Sequence, residues 1–306
     1  MITKRYTYGK FIRKEARMAT YKKTQIVNID PVIRVYNRKE PNVYSQNYAN
    51  PPIPEGYKYV CGKWDNGFVI ERWSDGSQFV WVPVSILDAN GTLDGKFFNE
   101  KLGRRNYCNN AFSRADFHEI LTEDFVRQLE SVKKYGGFYI SRYSISKNQQ
   151  TGEPQSRKGE EPWTNIKFKE AKSVAKGFEK KDTITSHLTF GAEYDSVLEW
   201  FIKSKKKTYR EIAKNSTNWG NYWNSKNSTK SIWKTGSCEE GCVNNIYDMA
   251  GNIEEWTQER NDSSFCVIRG GSYRNKGKHY PTASRVFDYP NNSSSTIGFR
   301  IVLCIQ

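Results

Sequence analysis

Strand-like runs stand at both ends of residues 53–306 of this 306-residue chain, and helical periodicity lies between them. Gly67-Phe68-Val69-Ile70 and the run Gln78 to Val84 are rich in β-branched and aromatic residues, joined by the turn Ser74-Asp75-Gly76-Ser77. Phe138 to Ile145 reads as a third strand, and Cys266–Tyr273 and Gly298–Ile305 as the last two. Between them, residues 114–133 place Phe117, Ile120, Leu121, Phe125, Leu129 and Val132 on one helical face, closed by Gly136-Gly137. Two more helices are expected near 167–178 and 190–204, the second with Thr189 as its N-cap. Polar residues 147–161 read as an exposed loop. Residues 205–241 have no period and are too long for an idle connection, so an ion or aromatic packing is expected to pin them. Strands at the ends and helices between predict an α+β fold with an antiparallel sheet in which the ends of the domain meet.

Aromatic residues make up 14% of the chain, which demands a packed core. No run approaches the roughly 18 apolar residues of a membrane span, so no membrane insertion is expected. The beginning lacks the apolar stretch of a secretory signal, so synthesis in the cytoplasm is expected. Charge is uneven. The net is +15, and residues 1–40 hold eleven Lys or Arg against Glu15, Asp30 and Glu40, a net of +8. Residues 1–52 are therefore a basic arm and linker, with Pro41, Pro51 and Pro52 near its end, and residues 53–306 are the folded domain. Residues 25–36 alternate β-branched and polar side chains, a strand able to pair with a neighbouring chain. The arm suits an acidic partner in a larger assembly; nucleic acid is the less favoured partner, although Tyr6, Tyr8, Phe11 and Tyr21 are compatible with stacking. Six widely spread cysteines are no disulfide scaffold. Cys238 and Cys242 read as a local disulfide or two free thiols ahead of a metal site.

Several motifs occur in a telling order: Phe79-Val80-Trp81-Val82-Pro83, Phe138 to Tyr143, Pro162-Trp163-Thr164-Asn165-Ile166, Leu188 to Asp195, Tyr247 to Trp256, Arg269-Gly270-Gly271-Ser272-Tyr273, Ala283-Ser284-Arg285 and Gly298-Phe299-Arg300. Together they make residues 53–306 resemble the formylglycine-generating enzyme (sulfatase-modifying factor) superfamily. The resemblance implies an elaborated C-type lectin fold. One departure is Phe190-Gly191, where the family has Thr-Glu at a helix start.

The resemblance also implies a calcium site, with the side chains of Asp248 and Glu255 and the carbonyls of Gly251 and Ile253 as ligands. Hard oxygens on a turn suit that ion. The other reading is a polar turn whose Asp caps an amide and whose Glu is solvated. The family's enzymes hold copper through two cysteines shortly after the Gly-Gly-Ser-Tyr segment. Here that stretch is Arg274 to Pro281, without a thiol. Copper(I) is soft and calls for thiolates, so no copper is expected. Cys266 and Cys304, on the flanking strands, are expected as a buried thiol pair or a cross-strand disulfide.

Between Ser272 and Ile297 the chain reads as loop. It is expected to expose Tyr273, Asn275, Lys278, His279, Tyr280, Arg285, Tyr289, Asn291, Asn292 and Ser293. Tyr, Asn and Ser on a rigid scaffold suit adaptable recognition. In similar C-type-lectin proteins this region is the ligand surface, and one phage and bacterial branch diversifies it. Arg285 and Arg300 have a structural alternative, burial against carboxylates such as Glu255. The sequence therefore points to a non-catalytic protein that binds a glycan or protein ligand in a virion or cell-surface assembly. A copper oxidase of the formylglycine type is the alternative.

Overall fold

A computed structural model describes residues 51–84, 86–87, 93–94, 102, 119–226, 228–260 and 265–306. The arm up to residue 50, with its expected strand at 25–36, lies outside them, as do Cys108, Phe117 and His118.

The chain order is β1 (Tyr57–Cys61), β2 (Val69–Arg72), β3 (Gln78–Pro83), β4 (Ile86–Leu87), β5 (Leu93–Asp94), α1 (Glu123–Tyr135), β6 (Gly137–Ser141), β7 (Ser146–Lys147) and β8 (Pro154–Gln155). Then come α2 (Phe168–Gly177), β9 (Lys180–Lys181), β10 (Ile184–Leu188), α3 (Gly191–Lys203), α4 (Tyr209–Ala213), β11 (Glu254–Arg260), β12 (Cys266–Arg269), β13 (Arg285–Asp288), β14 (Ile297–Phe299) and β15 (Ile301–Ile305). The fold is α+β. A seven-stranded sheet runs β1-β2-β3-β6-β15-β10-β9, and a four-stranded sheet runs β13-β12-β11-β14. The pairs in the large sheet are antiparallel, and its centre joins the last strand to β6 and β10. The ends of the domain thus meet in one sheet. In the small sheet β11 and β14 pair in parallel. Central strands are buried end to end, as in Phe79–Pro83, Gly137–Ser141 and Ile301–Ile305. No helix among the described residues is long and apolar enough to cross a membrane.

Several elements differ from the sequence reading, and three of them show why. Helix α1 begins at Glu123, because the Thr122 hydroxyl accepts the Phe125 N–H at 3.3 Å and caps it there. Ile120 and Leu121, expected on its inner face, are 39% and 72% exposed. Gly136 ends the helix in the left-handed region, φ 82°, as its sequence position suggests. At α3 the cap is not Thr189. The Glu193 carboxylate reaches back to the Phe190 N–H at 2.7 Å, and Thr189 gives its hydroxyl to the Arg300 carbonyl at 3.2 Å. Finally, Gly298–Ile305 is not one strand but two. It breaks at Arg300, so β14 joins the small sheet and β15 the large one.

The aperiodic stretch after α3 is held by rings and polar contacts. Trp219 and Tyr222 are buried, Trp219 against Phe201 at 6.5 Å. Thr208 and Glu211 cap α4 reciprocally, at 3.2 and 2.8 Å. All described cysteines are free thiols, Cys238 and Cys242 included. Cys266 and Cys304 are buried thiols, as one of the two expectations had it, and they lie in different sheets with no cross-strand disulfide between them.

Candidate functional site

The motif Tyr247 to Trp256 is a wound turn rather than a strand start. Asp248, Gly251 and Asn252 all have positive φ, 60°, 70° and 63°. Gly251 is required: a Cβ there would stand 2.3 Å from the Asn221 carbonyl oxygen. The Asn252 carboxamide ties the turn to the aperiodic stretch, accepting from Trp233 N–H at 2.8 Å and Asn221 Nδ2 at 3.0 Å.

Both carboxylates of this turn are buried and already bonded. Asp248 Oδ2 accepts the Gly236 N–H at 2.7 Å, and burial pushes the Asp248 carboxyl up to about 6. Glu255 accepts from Ser144 Oγ at 2.7 Å and from Arg300 Nε at 2.9 Å. Burial raises its pKa, and the Arg300 guanidinium works against that rise. Arg300 also donates to the carbonyls of Ser141, at 3.0 Å, and Tyr247. The Asp248 side chain and the carbonyls of Gly251 and Ile253 have the chemistry calcium prefers. Glu255 is engaged here by the Ser144 hydroxyl and the Arg300 guanidinium, so a calcium ion at this turn would share its carboxylate with them or displace them. No group of three or more His, Cys, Asp or Glu among the described residues is arranged to hold a metal ion.

A second ion-pair cluster lies under the small sheet. Arg269 bridges Asp195 at 2.8 Å and Glu259 at 3.0 Å. Arg285 binds Glu259 at 2.7 Å and also Asp195. All four side chains are at most 2% exposed. Arg285 is thus not part of the expected exposed surface; two carboxylates draw it into the core. Asp195 and Glu259 were not singled out by sequence. The one signal for Asp195 is a charge on the otherwise apolar face of α3.

The loops after β12 form two surfaces rather than one. The first, residues 272–280, packs on the aperiodic stretch: Ser216 N–H bonds the Gly277 carbonyl at 3.0 Å, and Trp223 N–H bonds the Asn275 carbonyl at 2.9 Å. Tyr273 is buried here, its hydroxyl accepting from Arg274 Nε at 2.9 Å. Asn275 folds the turn by accepting from Ser272 N–H at 2.7 Å, while Lys278 and His279 are exposed and Tyr280 is half-buried. Trp223, missed in the sequence, is 44% exposed beside them.

The second surface, 289–296, leans on the Trp163 segment, where Asn165 N–H bonds the Ser294 carbonyl at 2.9 Å. Asn291, Asn292 and Ser293 are exposed, and Asn292 Nδ2 donates to Asp288 at 2.6 Å. Tyr289 is 54% exposed and packs at a tilt of 41° on Phe265, 4.6 Å between centroids. The four residues of β13, a span of roughly 10 Å, lie between the two surfaces along the chain.

The family model of the sulfatase-modifying factor enzyme 1-like domain matches residues 110–305. No curated protein matches the chain. Among solved structures it is similar to PvdO from Pseudomonas aeruginosa, at 13% identity and TM-score 0.46 over 78% of this chain and 98% of that one. It is also similar to CarF, at 19% identity and TM-score 0.42 over 56% of this chain and 87% of that one. A third similarity is to Treponema denticola variable protein 1, at 14% identity and TM-score 0.40 over 56% and 85%.

Proposed function

From the premise that the chain belongs to the sulfatase-modifying factor enzyme 1-like family, we propose that it is a binding member of that family rather than an oxidase. The observation that carries this reading is the fate of the sulfurs beside the C-terminal sheets. The stretch Arg274 to Pro281 has no thiol. The nearest candidates in the strands, Cys266 and Cys304, stand in different sheets, and burial pushes them up to about 11 and about 12. At neutral pH both are thiols, whereas copper(I) is held by thiolates.

The binding surface is the loop region after β12, set on two sheets whose buried ion pairs hold it still. A glycan or a protein is the ligand class. The basic arm would tether the domain to a larger assembly, such as a virion. Tyr280→Ala and Asn292→Ala, made separately, are expected to leave the melting temperature near that of the parent. One of them abolishes capture in a glycan-array and cell-binding screen and identifies the surface in use. Unchanged capture by both variants would overturn the surface assignment.

A further inference from the structure

We infer that the first of the two surfaces is an electropositive docking face for an anionic polysaccharide, one bearing sulfate or carboxylate groups; this rests on the binding reading above and specifies its ligand. Residues 205–235 and 271–281 carry eleven Lys or Arg against one carboxylate, Glu211, a net of +10. The remainder of residues 41–306 sums to −3, so the domain's net positive charge comes from these two segments. The backbone bonds between Ser216 and Gly277 and between Trp223 and Asn275 fasten the segments together, with a further bond from Thr282 N–H to Ser216 Oγ at 2.9 Å. They join the segments that carry Lys214, Lys226, Lys230, Arg274, Lys276 and Lys278, all six exposed.

Some surface lysines elsewhere have carboxylates, as in Lys58–Glu71 at 2.9 Å, Lys158–Glu239 at 2.6 Å and Lys176–Asp124 at 3.0 Å. No ion pair among the described residues engages any of the six. Unneutralised like charges held on a rigid face repel one another and favour a polyanion that neutralises several at once.

The rings decide the class of polyanion. Two large aromatic side chains of these segments are exposed, Tyr209 at 45% and Trp223 at 44%, and the Lys230 ammonium sits 4.3 Å from the Trp223 ring centroid. Two rings, one already covered by a cation, are a poor platform for successive bases, which single-strand binding uses. The helix at hand, α4, has five residues and is too short to enter a duplex groove. Charge without a stacking ladder fits a sulfated or carboxylated sugar chain.

The test uses the full chain with a heparin oligosaccharide as probe, neutral dextran as control and a single-stranded oligonucleotide as competitor. Heparin is expected to bind and dextran not, with binding lost as salt approaches about 1 M, where the screening length is about 3 Å. Lys276→Glu with Lys278→Glu is expected to weaken it about tenfold or more. The same charge change at Lys133 and Lys169, exposed on α1 and α2, leaves it close to the parent. Equal loss in both double variants, no heparin binding by the parent, or an oligonucleotide that binds more tightly than heparin would overturn the inference. If heparin fails while the array screen still returns a ligand whose capture depends on Tyr280 or Asn292, the anionic assignment falls and the binding reading stands. If both fail, both fall.

Discussion

Arginine and lysine serve opposite ends in this molecule. Arg269, Arg285 and Arg300 are buried, each forked between carboxylates or carbonyls across strands and sheets. Lys214, Lys226, Lys230, Lys276 and Lys278 are exposed and lack an ion pair among the described residues. The planar guanidinium presents several donors in fixed directions, which suits the joint between β14 and β15. The lysine ammonium is a mobile point charge and suits a field directed outward. Positive charge here fixes the scaffold on one side and faces solvent on the other, and the two can be attacked separately.

The largest effect is expected inside. Arg300→Met leaves Glu255 buried without its cation and is expected to cost about 3–5 kcal/mol, read as a large fall in melting temperature. Adding Glu255→Gln should recover part of that loss. If the double variant is no better than the single one, the pair is not what joins the sheets.

A smaller effect follows from the buried carboxyls. Burial pushes Asp248 up to about 6 and Glu254 up to about 7 from ordinary values near 4. The folded state therefore holds protons that the unfolded state has released. The stability this contributes is complete below about pH 4 and is lost as pH rises through about 6 and 7. Each group is worth on the order of 3 kcal/mol. The melting temperature is expected to fall between pH 5 and 8, and Asp248→Asn with Glu254→Gln to flatten the slope. A slope unchanged in the double variant would contradict the assignment.

Losing the Thr122 hydroxyl in Thr122→Ala should cost about 1 kcal/mol. The exposed side responds least: reversing Lys276 and Lys278 is expected to change stability by less than about 0.5 kcal/mol while weakening polyanion binding about tenfold or more. Chelator or added calcium should leave the melting curve where it is, because Arg300 already supplies the positive charge beside Glu255. A fall on chelation that calcium restores would return the turn Asp248 to Glu255 to a metal site.

The sequence revealed what is local or carried by a motif. Hairpin β2–β3, the inner faces of α2 and α3 and the glycine stop of α1 follow from periodicity and turn chemistry. The family follows from the ordered motifs. What it hid is long-range. Arg285 looks like a loop residue until Asp195 from α3 and Glu259 from β11 close around it. Gly298–Ile305 reads as one apolar strand, and only the buried partners of Arg300 explain why the chain changes sheets there. The ligand surface looked continuous because its residues are close in sequence, yet β13 divides it. Trp223 went unnoticed because the stretch carrying it has no period, and its neighbour Asn275 is some fifty residues away along the chain.

Recognition, not oxygen chemistry, is the proposed work of this domain, and copper(I) titration of the reduced full chain with simultaneous oxygen recording separates the two. No saturable copper site and no oxygen uptake are expected in the presence of a cysteine-containing sulfatase-type peptide. One equivalent of tightly bound copper, with peptide-dependent oxygen consumption abolished by Cys266→Ser or Cys304→Ser, would contradict it.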